Sequence, residues 1–337
     1  MNYYGTCFEP YVGPFVGPQP VLYNTYTKKQ VLTMLASVNN AGFKRLLTYG
    51  QGVFVWQGKP IVQDSNKYII EVAASLGQRV SAGCYQQGAD PGADTLNVAW
   101  TQVEIDYAVA QAQQYQNVDE LLITNESIWG PGSLAKITSL LAYAKGLRGS
   151  LPIQVTTHQR WDVLAGVDNH SPSYAPTRQG LLTMLAACEG CIYANIYPYF
   201  DANLWSQLGA NPMEAHFKSV VTQSLETTWQ ALLAAFHNNG VTLECRIGEI
   251  GWPTQGSQAA QPHPQLATAT YAKWHYDAVD AWLSANGVKA YLFEAIDEPW
   301  KGNVLGTDSE AFFGKMMADG SATNPGSYLL LGIKTKY

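Results

Sequence analysis

The sequence has few charged residues and no strongly basic segment. Charged side chains make up 14% of the 337 residues, and the formal net charge is −6. Phosphate binding requires clustered lysine and arginine, so this balance argues against nucleic acid as a partner. No uninterrupted apolar run is long enough to cross a bilayer, and we therefore expect no membrane span.

Cysteine is scarce, and the signatures of several enzyme classes are missing. The five cysteines are too few and too scattered for a disulfide framework. Cys188 and Cys191 form a Cys-x-x-Cys pair that we interpret as structural thiols or one local disulfide, because nothing else completes a zinc site or a redox motif. The sequence has no His-Glu-x-x-His motif, no Asp-rich calcium loop and no Gly-x-Ser-x-Gly elbow. We therefore expect neither a metal nor a cofactor.

Aromatic and uncharged polar side chains are abundant by contrast. The chain contains 20 tyrosines and 10 tryptophans, and 47% of its residues are hydrophobic. A neutral, polyhydroxylated ligand is bound by flat aromatic faces and amide groups. The composition therefore favours a carbohydrate ligand and permits a large core.

Short β-rich segments alternate with helical patterns from one end of the chain to the other. Strands are predicted at 3–8, 45–48, 79–83, 121–124, 153–157, 191–196, 243–248 and 290–293. Helices are predicted at 28–39, 97–116, 133–148, 213–238 and 265–286, the last closed by Gly287.

This alternation predicts an α/β fold with a parallel sheet. No composition break or linker divides residues 1–337, so we expect a single catalytic domain. Eight strand–helix units favour a (β/α)8 TIM barrel with its active site at the C-terminal ends of the strands. The alternative is an open doubly wound sheet, which usually carries a Gly-rich phosphate loop after its first strand; none follows Phe8.

The segment 248–254, Gly-Glu-Ile-Gly-Trp-Pro-Thr, follows the predicted seventh strand. Glycine allows the backbone to approach a ligand closely, and Trp252 offers a flat face to a sugar ring. A solvated glutamate needs none of these neighbours. Glu249 is therefore predicted to be a catalytic carboxylate.

Glu126 follows the predicted fourth strand and supplies a second carboxylate. Strands four and seven of a closed barrel face each other across its mouth, so we expect the carboxylates of Glu126 and Glu249 to lie about 5 Å apart, as in a retaining glycosidase. Asn125 is placed to bind a sugar hydroxyl beside the reacting carbon. Taken alone, Glu126 is equally well interpreted as a solvated surface group.

Other residues of this rim have two interpretations each. Tyr197, Tyr199 and Phe200 form a sugar platform or simply pack, and Trp129 is an acceptor-side platform or a helix-packing residue. Glu298 contacts substrate or belongs to a charged loop with an internal ion pair. His158 is a proton shuttle or a hydrogen-bonded rim histidine.

The chain resembles glycoside hydrolase family 17, the β-1,3-glucanases and related glucanosyltransferases. The resemblance is carried by Gly-Glu-Ile-Gly-Trp-Pro at 248–253, Asn-Ile-Tyr-Pro-Tyr-Phe at 195–200, Asp-Glu-Pro-Trp-Lys at 297–301, Glu-Ala-Phe-Phe-Gly at 310–314 and Thr-Asn-Glu at 124–126. The family has Gly-Asn-Glu at the last of these positions. Thr124 in place of glycine is therefore expected to narrow the space beneath the acid/base.

The resemblance implies roles for these residues. Glu249 would be the nucleophile and Glu126 the general acid/base, while Asn125 would bind the 2-hydroxyl and Tyr197 would steady the nucleophile. The remaining substrate-side residues that it implies or that the rim suggests are Tyr49, Trp129, Tyr199, Trp252, Glu298, Trp300 and Lys301.

The function expected from this resemblance is retaining hydrolysis of β-1,3-glucan of the laminarin type by double displacement. The alternative is a β-1,3-glucanosyltransferase that uses the same carboxylates, and a less favoured one is a non-catalytic glucan-binding barrel. The linkage follows from the resemblance alone. The expected partner is a β-glucan oligo- or polysaccharide, acted on by a monomer.

Location is inferred from the substrate. The first residues form no secretory signal, since no basic region precedes an apolar one. We therefore expect either a cytosolic protein or a mature or trimmed form with an added Met. Because polymeric glucan lies outside the cytoplasm, we expect an extracellular or periplasmic enzyme.

Overall fold

Eight parallel strands form a closed barrel. The computed structural model describes residues 1–10, 26–56, 58–62, 65–88, 95–166, 178–256, 264–298, 308–318 and 333–336. Its strands are β1 Gly5–Cys7, β2 Arg45–Leu47, β3 Val53–Trp56, β4 Lys59–Val62, β5 Arg79–Cys84, β6 Val118–Asn125, β7 Gln154–Arg160, β8 Cys191–Asn195, β9 Glu244–Ile250, β10 Ala290–Leu292, β11 Met316–Ala318 and β12 Ile333–Thr335. The barrel order is β1, β10, β9, β8, β7, β6, β5 and β2. This confirms the (β/α)8 barrel and excludes the open sheet.

All eight predicted strands are present, with shifted ends. The largest extension is in β6, predicted at 121–124 and observed over Val118–Asn125. The register between β6 and β7 shifts between Leu122 and Asn125, so the last residues of β6 leave the regular ladder. This irregularity lies immediately before Glu126.

The helices that cover the strands begin and end at recognisable capping residues. They are α1 Lys28–Asn40, α2 Ile69–Ser75, α3 Val98–Tyr115, α4 Pro131–Arg148, α5 Trp161–Leu164, α6 Arg178–Ala187, α7 Ala202–Leu208, α8 Glu214–Asn238 and α9 Ala269–Asn286. Thr27 and Gln30 form a capping box on α1, and the Asn97 side chain caps α3. Thr268 caps α9 and Gly287 ends it at φ 64°, as predicted.

Several elements were not predicted from sequence. Strands β3 and β4 form an antiparallel hairpin after β2, and β11 pairs antiparallel with β12. The short helices α2, α5, α6 and α7 were also missed. These elements are too short for a hydrophobic period to distinguish them from loops.

The chain forms two compact units. One comprises residues 1–43, 197–227 and 249–337, and the other comprises 44–196 and 228–248. In the first unit, Trp252 is at the centre of an aromatic cluster, with edge-on contacts to Tyr199 and Phe217 at centroid distances of 5.0 Å. Such contacts between buried rings stabilise the packing beyond the area that they bury.

The second unit contains a buried polar layer. Nη1 of Arg246 donates to Glu120 Oε1 and to the Tyr193 hydroxyl, each over 2.8 Å. The Ser81 hydroxyl donates to the other oxygen of Glu120 over 2.6 Å. Buried charges are retained at low cost only when paired and hydrogen-bonded in this way.

The five cysteines are thiols that form no disulfide, and four of them, Cys7, Cys84, Cys188 and Cys191, are buried. Burial raises the pKa of the Cys188 thiol to about 11 and that of Cys191 to about 12. The Cys-x-x-Cys pair is therefore two structural thiols, and no disulfide joins them. Within the described ranges, no helix is long and apolar enough to cross a membrane.

Candidate active site

Glu126 lies immediately after β6 and is oriented by a buried amide. Asn195, the last residue of β8, is 2% exposed. Its Nδ2 donates to Glu126 Oε1 over 2.9 Å and to Asn125 Oδ1 over 3.0 Å. A donor fixed within the fold thus positions the Glu126 carboxyl and the Asn125 amide together, which a solvated surface glutamate does not require.

Asn195 was not among the residues predicted for the site. Its position inside the motif at 195–200 was the available signal, but its neighbour Tyr197 attracted the functional interpretation instead. A pattern of residue types does not indicate which side chain of a strand end turns toward another strand.

The backbone that carries Glu126 is left-handed at two residues. Thr124 has φ 63° and Glu126 has φ 46°. Residues with a Cβ rarely adopt this conformation, and a β-branched threonine least of all. The positive φ gives a reason for glycine at this position in the family that the chain resembles. Thr124 is itself buried, and its hydroxyl accepts from Gln159 Nε2 over 3.1 Å rather than simply occupying space beneath Glu126.

Glu249 lies near the end of β9 and is 5% exposed. The Tyr197 hydroxyl donates to Glu249 Oε2 over 2.6 Å. The Tyr197 ring is held edge-on by Phe200, Phe293 and Phe313, at centroid distances from 5.3 to 5.9 Å. The contact inferred between Tyr197 and the proposed nucleophile is present, within a rigid aromatic surround.

The two glycines that flank Glu249 are required by packing. A Cβ on Gly248 would lie 2.7 Å from Asn195 Oδ1, and a Cβ on Gly251 would lie 1.9 Å from the Phe293 carbonyl oxygen. Gly251 therefore allows close approach of a neighbouring segment of the protein. We expected glycine here to let the backbone approach a ligand, and this is corrected: the glycines make room for neighbouring atoms of the protein.

Trp252 and Tyr199 are packing residues. Trp252 is 1% exposed and Tyr199 is fully buried. The Trp252 indole N–H donates to the Leu266 carbonyl over 2.9 Å, and the Trp205 indole N–H donates to the Tyr199 carbonyl over 2.8 Å. Because buried rings present no face to solvent, the sugar-stacking roles predicted for Trp252 and Tyr199 are corrected.

Phe200 and Trp129 are more accessible. Phe200, next to Tyr197, is 42% exposed. Trp129 is half-buried, and the Arg160 guanidinium lies 5.6 Å from its ring centroid. Arg160 is in turn paired with Asp162 over 2.9 Å. Both rings are accessible to solvent, and their substrate contacts stay predictions.

Tyr49 and His158 lie together at the carboxyl ends of β2 and β7. Their ring centroids are 5.6 Å apart, and both residues are buried. Burial lowers the pKa of His158 to about 3, so its imidazole is neutral near pH 7. A neutral imidazole with so low a pKa is a poor proton shuttle, and the structure favours the rim-histidine interpretation. The sugar contact expected of Tyr49 stays a prediction.

Glu298 follows β10 and is 3% exposed. Its neighbour Asp297 accepts from Lys336 Nζ over 2.6 Å, and Lys336 also donates to the Thr254 hydroxyl over 2.6 Å. Burial raises the pKa of Asp297 to about 6 and lowers the pKa of Lys336. Asp297 of this loop thus pairs with Lys336, which lies outside the loop. Trp300 and Lys301, the other predicted residues of the motif, lie outside the described residues.

A buried carboxyl supports the loops after β2 and β5. Glu104 in α3 is 1% exposed and accepts from the backbone N–H groups of Gln51 and Val53 and from Gln87 Nε2. Burial raises the pKa of Glu104 to about 8, although these hydrogen bonds lower it. Glu104 was not singled out from the sequence because nothing in α3 distinguishes it from a surface glutamate.

Metal-ligand groups and surface grooves are two further features of the molecule. In the part of the chain that the structure describes, no group of three or more His, Cys, Asp and Glu side chains is placed to hold a metal ion. A groove of about 700 Å³ is lined by outer-helix residues including Lys218, Glu226, Asp277 and Trp282, and by none of the predicted site residues.

The chain is similar to fungal glucan-degrading enzymes. It is 29% identical over 193 residues to a glucan 1,3-beta-glucosidase of Candida albicans, covering 55% of this chain and 53% of the relative. The chain thus spans about half the length of this curated relative.

Solved structures share the fold over nearly the whole chain. An endo-laminarinase from Formosa superposes with a TM-score of 0.66 at 20% identity, covering 95% of this chain and 84% of that one. A glycoside hydrolase family 17 beta-1,3-glucanosyltransferase from Rhizomucor miehei superposes with a TM-score of 0.63 at 17% identity, covering 96% of both chains. At these identities the likeness shows the barrel fold.

A family model covers the strands that carry both carboxylates. It matches residues 5–314, from β1 through the segment 310–314 that follows the eighth barrel strand. This range includes Glu126, Asn195, Tyr197 and Glu249. The chain belongs to the BtgE/BtgC glycoside hydrolase domain family.

Proposed function

We propose that this protein is a retaining glycoside hydrolase that cleaves β-1,3-glucosidic bonds in β-1,3-glucan. The observation that carries the proposal is that each of two carboxylates at the carboxyl ends of barrel strands has its own neutral hydrogen-bond donor. Asn195 donates to Glu126, and Tyr197 donates to Glu249. Glycoside hydrolysis needs two carboxyl groups with different roles, and distinct surroundings are how such roles are separated.

The proposed first step forms one bond and breaks another. A carboxylate oxygen of Glu249 attacks the anomeric carbon, and the bond from that carbon to the glycosidic oxygen breaks. Glu126 gives its proton to the departing oxygen. In the second step, Glu126 as a carboxylate removes a proton from the incoming acceptor, whose oxygen displaces Glu249 from the anomeric carbon.

The surroundings of the two groups suit these roles. Glu249 is nearly buried, and the hydrogen bond from the Tyr197 hydroxyl holds its carboxyl group in one orientation before attack. Glu126 is more accessible, as a group that exchanges protons with leaving group and acceptor must be. Asn125 Oδ1 accepts from Asn195, which fixes the orientation of the Asn125 amide beside Glu126, and we assign its Nδ2 to the sugar 2-hydroxyl.

The linkage and the polymer are proposed from the relatives. The glucosidase of Candida albicans and the laminarinase of Formosa carry a β-1,3-linked glucan or laminarin in their names, and the family model covers nearly all of this chain. Hydrolysis of mixed-linkage or β-1,4 glucan in preference to laminarin would contradict this part of the proposal.

A second candidate is transfer to a sugar acceptor, giving a β-1,3-glucanosyltransferase. The half-buried Trp129 ring favours this candidate. It lies three residues beyond Glu126 and beside Arg160. An aromatic face on the acceptor side binds a sugar, which then competes with water for the glycosyl enzyme. Incubation with laminari-oligosaccharides separates the two. Products longer than the starting oligomer indicate transfer, and products that are only shorter indicate hydrolysis.

Azide rescue tests the two carboxylate roles. With an activated β-glucoside donor and sodium azide, Glu249→Ala is expected to yield an α-glycosyl azide and Glu126→Ala a β-glycosyl azide. Glu214→Ala, an exposed residue of α8, is the matched control and should form no azide product. The same anomer from both site variants, or undiminished activity in Glu249→Gln, would overturn the assignment of the two roles. Absence of turnover in the wild-type protein would favour a non-catalytic glucan-binding barrel.

The remaining expectations follow from the proposed substrate. A protein that acts on polymeric glucan meets it outside the cytoplasm, so we place its action in an extracellular or periplasmic space. Action as a monomer and as one catalytic domain stay predictions. Sedimentation of the purified protein at micromolar concentration measures the first of these.

A further inference from the structure

The segment 124–127, which carries Glu126, is held in an unfavourable backbone conformation. Thr124 and Glu126 both have left-handed φ values, 63° and 46°. Side chains with a Cβ adopt such values only where surrounding contacts impose them. Something in the fold must therefore hold this segment.

One buried amide spans the segment. Gln159, in β7, is 1% exposed. Its Nε2 donates to the Thr124 hydroxyl over 3.1 Å, and its Oε1 accepts from the Ser127 N–H over 2.9 Å. The amide contacts residues on both sides of Glu126. Nε2 also donates to the Thr157 hydroxyl over 2.8 Å, which fixes the orientation of the amide.

The backbone around Glu126 is bonded in the same region. The Glu126 N–H donates to the His158 carbonyl over 3.2 Å, and the Asn125 N–H donates to Gln86 Oε1 over 2.9 Å. The register of β6 against β7 shifts just before this point. Side-chain amides thus take the place of ladder bonds where the strand departs from its partner.

We propose that Gln159 is a positioning residue for Glu126, holding the left-handed turn that aims the acid/base carboxyl, with Thr124 as its anchor. This inference rests on the proposed role of Glu126 as acid/base. Gln159 is buried behind the segment and acts through it. Removal of Gln159 lets Thr124 and Glu126 relax toward ordinary φ values and displaces the carboxyl from the glycosidic oxygen.

The test compares substrates that need a general acid with substrates that do not. A laminari-oligosaccharide has a poor leaving group that must be protonated. The 2,4-dinitrophenolate of a 2,4-dinitrophenyl β-glucoside leaves without being protonated. A correctly placed general acid accelerates the reaction roughly 100- to 10,000-fold. Gln159→Leu is expected to lower kcat/KM on the oligosaccharide at least about tenfold and on the dinitrophenyl substrate less than about threefold, a partial loss of that contribution.

The pH profile and a rescue variant supply independent measurements. The basic limb of kcat/KM, which reports the acid, should move in Gln159→Leu. Thr124→Gly added to Gln159→Leu should recover activity on the oligosaccharide, because glycine adopts φ near 63° without support. Gln113→Leu, on the exposed side of α3, is the matched control and should match wild type on both substrates.

The outcomes separate this inference from the proposed function. Equal losses on the two substrates, or no rescue by Thr124→Gly, would overturn the positioning role. If Gln159→Leu does not fold, Gln159→Glu retains the acceptor for Ser127 and removes the Nε2 donor, with the same expectation. Glu126→Ala is measured beside the Gln159 variants. If Glu126→Ala loses more activity on the oligosaccharide than on the dinitrophenyl substrate and the Gln159 variants do not, only the positioning role is refuted. If Glu126→Ala itself loses activity equally on both substrates, the proposed function is refuted.

Discussion

The Tyr197 hydroxyl donates a hydrogen bond of 2.6 Å to Oε2 of Glu249, a carboxylate that is 5% exposed. A short hydrogen bond from a hydroxyl restricts the orientation of the carboxylate that accepts it. The phenol thus fixes which oxygen of Glu249 is engaged, as the nucleophile of the proposed mechanism must be held.

Tyr197→Phe removes this donor and leaves the ring in place. A hydrogen bond to a charged group contributes roughly 1.5 to 3 kcal/mol, so we expect kcat/KM on laminari-oligosaccharide to fall about 10- to 100-fold. Steady-state kinetics with circular dichroism as a folding check measures this. Tyr271→Phe removes the same atom from a ring in α9 and is the control. Equal activity of Tyr197→Phe and wild type would show that the contact does not assist the reaction.

Asn195→Ala removes the donor shared by Glu126 and Asn125. We expect a loss of about 100-fold in kcat/KM, since both the acid/base and the group beside it lose their orientation. Asn195→Asp should shift the basic limb of the pH profile upward, because a second carboxylate beside Glu126 disfavours its ionisation. Asn203→Ala, exposed in α7, is the comparison. An unshifted profile in Asn195→Asp would contradict the assignment of Glu126 as the acid.

Gly251→Ala tests whether Gly251 is required by close packing against Phe293. A Cβ at this position lies 1.9 Å from the Phe293 carbonyl oxygen, a backbone atom that cannot give way locally. We expect a loss of about 1 to 3 kcal/mol or more in the free energy of unfolding, measured by urea titration. Gly146→Ala in α4, where nothing lies within 4 Å, should instead stabilise the protein by roughly 0.5 to 1 kcal/mol. A stable, soluble Gly251→Ala would refute the packing role.

Glu104→Gln should alter the pH dependence of stability. The pKa of Glu104 is raised from 4.5 to about 8 in the folded protein, mainly by burial. A raised carboxyl pKa means that the folded state holds a proton that the unfolded state has released. Its contribution is fully present below about pH 4.5 and is lost as the pH rises through about 8.

The measurable quantity is the difference in slope between wild type and Glu104→Gln. Between these pH values the wild type should lose stability relative to the variant by about 1.4 kcal/mol per pH unit. Urea unfolding at pH 5, 6, 7 and 8 gives the slopes. Glu214→Gln, exposed in α8, should retain the wild-type slope. Parallel curves for wild type and Glu104→Gln would show that the Glu104 carboxyl is ionised throughout.

The buried ion pair between Arg246 and Glu120 is expected to be costly to break. Arg246→Met leaves Glu120, 4% exposed, with its bond from Ser81 and without its cation. An uncompensated buried charge costs roughly 3 to 5 kcal/mol in the free energy of unfolding. Lys273→Met, which removes an exposed partner of Asp277, should change stability by less than about 1 kcal/mol. Similar losses in the two variants would mean that the Arg246 site is solvated.

Much of the fold could be predicted because its signals are local. The β-rich segments and the amphipathic helices each follow from the order of neighbouring residues, and all eight barrel strands were found in this way. Their ends were less accurate, since β6 begins three residues before its predicted start, where Asp119 and Glu120 interrupt the apolar pattern. The hairpin β3–β4 was missed because four-residue strands carry too little pattern.

For individual side chains, too, the predictions were accurate where a local motif carried the signal and wrong where the side chain's orientation mattered. Glu126, Asn125, Glu249 and Tyr197 were identified from motifs, and the structure gives each of them a defined partner. Trp252 and Tyr199 were assigned to sugar by residue type, yet they are buried in an aromatic cluster. The identity of an aromatic residue does not state which face of a strand end it occupies.

The sequence by itself determined the barrel, the positions of its two carboxylates and the class of chemistry that they suit, because alternation and motif spacing are encoded in the order of residues. Only the tertiary structure decided that Asn195 orients Glu126 across a separation of 69 residues, that Gly251 accommodates a neighbouring carbonyl, and that Gln159 spans the turn around Glu126. Such contacts depend on the register between strands that are distant in the chain, and a shift of one residue would turn every side chain to the opposite face.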